Sequence, residues 1–493
     1  LAEYNLSEEA RGINREAAAM ARRLADQSST PEKPRFVAGS MGPTTKTISV
    51  TGGISFDELA VSYHEQAAGL VEGGVDLLLL ETSQDTINIK AGLHGIDQAF
   101  AELGQEVPVA VQGTVEPMGT LLAGNPSQYA RLRECPWTSA ILGMSYGSAT
   151  WYGCMADFNV MRKGAVMAVS SERLVSMAIG EKVDAQELGG WRLHSEVTGL
   201  IDMAVDSDEE AIDALKAFLS YMPSHNAEAP PQKAVSRGSD DGSRAVASLV
   251  PKSRTKVYDI RKVVRAIIDK DSYFELKPRF GKTAATVLAR VDGRVAGINA
   301  NNPLYKAGAM DAMACDKIIS FMVLCDSYNI PLIFLVDNPG FVIGLEAERQ
   351  KAPGKIINFM NALQLVTVPK LTVMLRKNYG QAYINMAGGR NAAEVAAWYT
   401  AEVSFMDPAF AVNVVHGSEG QRLEESDPER FAREFEAFQK NNSVWDLAAT
   451  YAVQQVIAPQ ETRAWLIRML EVHRNRRTGD IGQHRLHNWP TSY

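Results

Sequence analysis

Cysteine is scarce in this 493-residue chain, with four residues at Cys135, Cys154, Cys315 and Cys325 and no C-x-x-C pair. Cys315 and Cys325 fall in a helical pattern among apolar neighbours, where buried free thiols are expected. Disulfides are not expected, which suits a reducing cytoplasm. Histidine is equally thin, with 8 residues scattered along the chain. A zinc ion needs three or four ligands held together, and no metal site is expected. There is no basic excess: Lys+Arg 50 against Asp+Glu 58 gives a net charge of -8. That balance excludes the electrostatic footprint of a nucleic-acid binder. Long apolar runs are missing too. The longest, such as residues 330–336, fall far short of the ~18 needed to span a bilayer, so no membrane association is expected. The chain's opening residues do not read as a signal peptide, and none is expected. Its first residue is Leu1 rather than Met, which implies residues upstream.

What is present is ordinary for a globular protein: 46% hydrophobic and 22% charged residues. At ~100–200 residues per domain, the length suggests two to four domains. Helical periodicity runs through residues 8–25, 56–72 and 85–103. Short apolar runs at 35–39, 75–81 and 109–115 read as strands, the second carrying four leucines at 77–80. This alternation predicts a parallel sheet with helical crossovers.

The words in this region are specific. Phe36-Val37-Ala38-Gly39-Ser40-Met41-Gly42-Pro43-Thr44, Gly73-Gly74-Val75-Asp76-Leu77 and Glu81-Thr82 with Asp85-Thr86 and Asn88 stand in the first quarter of the chain. Gly113-Thr114 through Glu116-Pro117-Met118-Gly119-Thr120 follows them. Together they resemble the homocysteine-binding barrel of cobalamin-dependent methionine synthase. That family activates its thiol with a cysteine-held zinc on later strands, which are absent here. About three strands are legible where a closed barrel needs eight. Glu81 and Asp85 are therefore expected as polar ends of a strand and a loop, and residues 1–126 as a partial, passenger-like segment.

From about Arg131 the text changes. Ala140-Ile141-Leu142-Gly143 ends an apolar strand, and Met144-Ser145-Tyr146-Gly147-Ser148-Ala149 follows. The plan recurs at 371–375, followed by Arg376-Lys377-Asn378-Tyr379-Gly380-Gln381-Ala382-Tyr383. Each passage is a strand, a Tyr-Gly turn with small neighbours, and a helix start. Small residues let backbone N–H groups approach a ligand. At a helix start those groups favour negative charge, the equipment of an oxyanion hole.

Further words complete the pattern: Tyr258-Asp259-Ile260-Arg261, Asp271-Ser272-Tyr273-Phe274-Glu275, Gly297-Ile298-Asn299-Ala300-Asn301-Asn302-Pro303 and Ala307-Gly308-Ala309-Met310-Asp311. Asp337-Asn338-Pro339-Gly340-Phe341, Ala401-Glu402-Val403-Ser404-Phe405-Met406 and Ile457-Ala458-Pro459-Gln460-Glu461-Thr462-Arg463 stand later in the chain, with Glu187-Leu188-Gly189-Gly190 and His194 upstream. These resemble the carboxyltransferase (beta) subunit of biotin-dependent acyl-CoA carboxylases, in the propionyl-CoA and methylcrotonyl-CoA carboxylase group.

The resemblance implies an α/β, crotonase-like ββα superhelix: one complete unit at 256–493 and one partial unit at 127–223, after the barrel-like segment. Residues 224–255, rich in Ser, Pro, Gly and charge, read as a linker. It further implies transfer of CO2 from carboxybiotin to the α-carbon of an acyl-CoA. Gly380, Gln381 and Ala382 would form one oxyanion hole, and Gly147 and Ser148 the other. Asn338, Pro339, Gly340, Phe341, Tyr379 and Tyr383 would line the biotin side, and Tyr146, Ala149 and Ile384 the substrate side. Biotin would arrive on a separate carrier protein charged by a biotin carboxylase, and the chain would self-associate as a dimer or higher oligomer.

Three departures stand out. Gln381 replaces a frequent glycine and needs room. Ile384 replaces a frequent aspartate, and Ser148 a second glycine. The front half of the first crotonase unit is missing. His194 and His416 are expected to be structural, as is Asp337 at a strand end. Arg474, Arg476 and Arg477 read as a solvated helix end or subunit contact. A non-catalytic assembly subunit, a related decarboxylase, and a chain joined artificially near residues 124–131 stand as alternatives.

Overall fold

The computed structural model describes residues 6–44, 46, 48, 53–83, 85–113, 129, 131–417, 421–440, 442–474, 484–487 and 489. It divides into two compact units, Leu1–Asn125 and Pro126–Tyr493.

The first unit packs helices Ala10–Ser28, Phe56–Glu72 and Thr86–Leu103 with strands β1 (Ala38–Met41), β2 (Leu77–Ser83) and β3 (Val109–Gly113). The strands run parallel in the order β1-β2-β3. Ser55 starts the second helix with a reciprocal cap: its Oγ accepts from Glu58 N, and Glu58 Oε2 accepts from Ser55 N at 2.9 Å. Asp85 Oδ1 accepts from Ile87 N at 2.9 Å to start the third. A Cβ on Gly95 would sit 2.4 Å from Ala60 O, so a glycine is required where the second and third helices cross. Leu59, Tyr63, Leu78, Leu80, Ile96 and Phe100 fill the core. The first strand lies later than the run at 35–39 suggests. Phe36 is 71% exposed, and the ladder begins at Ala38, paired with Leu77. The words at 114–120 and the proposed join at 124–131 lie almost wholly outside the described residues.

The second unit is built on a mixed sheet. Strands β9 (Phe274–Leu276), β10 (Ala284–Val291) and β11 (Arg294–Asn301) run antiparallel. From β11 the sheet turns parallel through β12 (Leu332–Asn338), β13 (Lys370–Tyr379), β14 (Glu394–Trp398) and β16 (Gln455–Ile457). The short β15 (Glu402–Ser404) pairs with the end of β13. Helix Ala312–Ser327 covers one face, and helices Ile260–Ile267 and Thr462–Val472 the other. All seven residues of β12 are buried, as expected of a strand covered on both sides.

Residues 127–223 contribute two small parallel sheets. One joins β4 (Thr138–Ile141), β6 (Phe158–Arg162) and β8 (Met203–Val205); the other joins β5 (Met144–Tyr146) and β7 (Val166–Ala168). They share a core with the large sheet: Phe158 stacks on Phe218 at 4.7 Å, and both rings meet Phe274. Residues 224–255 are packed as well. Val246 and Val250 are buried, Ser239 Oγ accepts from Lys270 N at 3.0 Å, and Asp240 pairs with Arg463 at 2.7 Å. The polar composition that suggests a linker thus hides a few apolar anchors that dock it.

Candidate active site

Strand β13 delivers the C-terminal turn. Its side chains from Leu371 to Tyr379 are all buried, so the strand end is held on both faces. Tyr379 then takes an extended conformation, and Gly380 opens helix Gly380–Asn385 at φ +59°. A Cβ at Gly380 would lie 2.8 Å from Phe405 O, so both backbone and space demand glycine. No side chain caps this helix start, and the first N–H groups of a helix have no intrahelical acceptor. Gln381 is exposed, and its Nε2 donates to Asn385 Oδ1 at 2.9 Å. Tyr383 is buried, and its hydroxyl accepts from Gly389 N at 2.7 Å. Ile384 is half-buried against the core.

The loop after β12 lies alongside, because Asn338 pairs with Asn378 across a bulge. Asn338 is fully buried, and its Oδ1 accepts from Gly340 N at 2.8 Å, holding Gly340 at φ +135°. Phe341 bridges to Met310. A cavity of about 240 Å³ opens here, lined by Met310, Cys315, Phe341, Val342, Leu345 and Ile356 among others. Asn338 is thus brought beside the end of β13, while the residues that line the cavity with Phe341 include none of Tyr379–Ile384. Asp337 is wholly buried. It accepts from Tyr258 OH at 2.8 Å, Arg376 Nε at 3.0 Å and Lys377 N at 3.2 Å. Burial and that carboxylate push the Tyr258 phenol up. Asp337 is a structural hub, fully engaged with its own scaffold.

The N-terminal turn has the same plan with one difference. Gly147, at φ +59°, precedes the uncapped helix Ser148–Met155. However, Gly147 N donates to Val169 O at 3.1 Å. That amide is spent on the local fold, which corrects its expected place in an oxyanion hole. The N–H groups left at this helix start belong to Ser148 and its successors. Tyr146 OH donates to Glu172 Oε2 at 2.7 Å, and this bond pushes its pKa up to about 12. Ala149 is exposed. Thr150 Oγ1 ties the turn down through Ser145 O and Ala168 O, each at 2.9 Å. The two turns ride on different sheets, and the cavity beside Phe341 is lined by none of residues 146–149.

His194 is buried with its ring nitrogens on Met167 O (2.6 Å) and Thr198 Oγ1 (3.0 Å), and burial lowers its pKa. His416 faces Glu434 at 3.5 Å. Arg474 is 58% exposed and pairs with Glu471, while Arg476 and Arg477 lie outside the described residues. All four cysteines are free thiols. Among the described residues, no group of three or more His, Cys, Asp or Glu is placed to hold a metal ion, and no helix is long and apolar enough to cross a membrane. Sequence reasoning missed Arg254, Arg376 and Glu402. Arg376 and Glu402 stand within the motifs at 376–383 and 401–406, but nothing local shows that β15 lies beside β13.

Residues 93–487 match the carboxyl transferase domain family. The chain belongs to that family. Residues 1–143 also match the homocysteine S-methyltransferase family, so the two matches overlap over 93–143. The carboxyl transferase match thus begins well upstream of Arg131. The carboxyltransferase subunit of propionyl-CoA carboxylase from Haloferax mediterranei is 33% identical over 344 residues, 69% of this chain and 67% of that protein. The methylmalonyl-CoA carboxyltransferase 12S subunit of Propionibacterium freudenreichii is 34% identical over 348 residues, 69% of this chain and 65% of that protein. The chain therefore spans about two thirds of the length of such relatives. Among solved structures, a transcarboxylase 12S hexamer with methylmalonyl-coenzyme A bound superposes with a TM-score of 0.66 at 28% identity. That superposition covers 86% of this carboxyl transferase chain and 77% of the 12S chain.

Proposed function

We propose that this chain is a carboxyltransferase component that moves a carboxyl group from carboxybiotin, borne on a separate carrier protein, to the α-carbon of an acyl-CoA. The observation that carries this reading is the uncapped Tyr379–Gly380 turn at the end of a strand buried from Leu371 onward, with Asn338 paired to Asn378 beside it.

An α-proton of a thioester is weakly acidic, and its removal places charge on the thioester oxygen. Fixed N–H donors aimed at that oxygen lower the barrier, and losing one costs about 3–4 kcal/mol. When bound, carboxybiotin supplies the carboxyl group and, once this has left, a ureido nitrogen that can take the α-proton. No histidine or carboxylate base is then required, in keeping with the structural engagement of His194 and Asp337. In this reading the amides of Gly380, Gln381 and Ala382 hold the ureido oxygen. Those of Ser148 and Ala149, rather than Gly147, hold the thioester oxygen. Phe341, Tyr379 and Tyr383 shape the biotin side, and Tyr146 and Ile384 the acyl side.

On this reading two copies pair, the N-terminal turn of one facing the C-terminal turn of the other. Exposed apolar residues flank both: Met144, Val169, Leu174 and Met177 near the first, and Phe405 near the second. This supports self-association. A biotin carboxylase and a biotin carboxyl carrier protein complete the set of partners. On this reading, residues 256–493 form one whole crotonase-like unit and 127–223 part of another, with 1–126 a partial homocysteine-methyltransferase-like segment.

Purified chain should move the carboxyl group of methylmalonyl-CoA to free biotin. No transfer and no binding of acyl-CoA, in protein shown to be folded and self-associated, would remove the enzymatic reading.

A further inference from the structure

The polar segment 251–256 is tied directly to the strand that carries the C-terminal turn. Arg376, on β13, donates from Nη1 to the carbonyls of Pro251 (3.2 Å), Ser253 (2.6 Å) and Lys256 (2.9 Å). Its Nε is held by buried Asp337. The segment so fixed presents Arg254 to two carboxylates. Arg254 pairs with Glu402 at 3.3 Å and with Asp407. Its guanidinium also lies 5.6 Å from the Phe435 ring centroid and 6.0 Å from that of Tyr379.

Those carboxylates bracket the stretch that walls the turn. Glu402 Oε2 accepts from Tyr379 OH at 2.9 Å. Asp407 starts helix Pro408–His416 by accepting from Ala409 N at 2.9 Å. Between them, Phe405 puts its carbonyl against Gly380. Ser404 pairs with Tyr379 in the sheet, and Asn378 Nδ2 donates to Glu402 O at 3.2 Å. The connections close into a ring: β13, Arg376, segment 251–256, Arg254, Glu402, Tyr379 and back to β13. Arg254 is the member that joins the outer segment to the wall. Its side chain is 17% exposed. A planar guanidinium holds its donors in a fixed fork toward both carboxylates, whereas a lysine ammonium is a point charge on a flexible stem.

We propose that Arg254 is a positioning residue: through Glu402 and Tyr379 it fixes the Gly380–Ala382 amides in the orientation that carboxyl transfer requires. The proposal rests on the function proposed above, but the ring itself can be tested without it.

Arg254→Met should lower kcat for methylmalonyl-CoA-to-biotin transfer about tenfold or more, since displacements near 1 Å can cost about a hundredfold. KM for the CoA thioester, which on this reading binds the other turn, should stay within about twofold. Arg254→Lys should fall between wild type and Arg254→Met. Tyr379→Phe, which removes one hydroxyl, should show the same split, and the double variant should be no worse than Arg254→Met alone. Hydrogen exchange reads the ring independently. Amides 380–385 should exchange faster in Arg254→Met, with amides outside the ring and helix Pro408–His416 unchanged. Wild-type kcat in Arg254→Met, a loss carried by KM, or additive effects in the double variant would each overturn the positioning role. If the wild type transfers nothing, the functional reading fails, and exchange alone decides the ring: unchanged protection at 380–385 removes it. Where Arg254→Met loses protection everywhere, Tyr379→Phe takes its place in both measurements.

Discussion

At Gly380 a positive φ and the Phe405 carbonyl act together, so a single methyl group disturbs both backbone and wall. Gly380→Ala should cost about 1–3 kcal/mol of stability and abolish carboxyl transfer, as read by urea unfolding and a transfer assay. Lys317 makes a different point. It is wholly buried, its Nζ donates to Phe280 O (3.1 Å) and Ala284 O (2.8 Å), and burial pushes its pKa down to about 7. Unfolded lysine keeps its proton to about pH 10.4. Between those values the unfolded chain holds the extra proton. Stability carries the full penalty below pH 7 and recovers as pH rises toward 10. The recovery is on the order of 5 kcal/mol. Subtracting the curve of Lys317→Met from that of wild type should leave this upward slope, and a flat difference would mean the ammonium is not desolvated. Neither residue announces itself in the sequence. A glycine between strand and helix is common, and a lysine in the apolar helix 312–327 reads as a surface position until the helix is seen buried on nearly all sides.

Among elements, helix Glu172–Ile179 stands out because it buries none of its residues, although Leu174, Met177 and Ile179 are 59%, 74% and 56% exposed. Such a face is expected to meet another surface. Leu174→Glu with Met177→Glu should shift sedimentation toward the monomer, with the unfolding midpoint of the monomer unchanged. The docked segment 224–255 makes an opposite case. Arg463, buried, pairs with Asp240 and Asp269 at 2.7 Å each and donates to Ile267 O at 3.1 Å. Arg463→Met leaves buried Asp269 without its cation and should cost about 3–5 kcal/mol, measured by denaturant midpoint. The strand cores at 332–336 and 371–375 were legible because unbroken apolar runs mark a covered parallel sheet. The docking of 224–255 was not, because its anchors are two valines, ion pairs and hydrogen bonds to distant residues, scattered among many polar residues.

At the scale of the molecule, each compact unit has its own core: Leu59, Leu78 and Phe100 in the first, and the clusters on both faces of the large sheet in the second. Calorimetry of the full chain should resolve two unfolding transitions, and a substitution such as Leu78→Ala should lower only one of them. The sequence by itself determined the alternation of strands and helices, the two Tyr-Gly turns and the change of text between the two regions, since each depends on neighbours a few residues apart. Only the tertiary structure decided that Gly147 gives its amide to Val169, that β15 lies against β13, and that Arg254 closes a ring around Tyr379. Those outcomes rest on hydrogen bonds and charges between groups distant in the chain, which no local pattern of residues encodes.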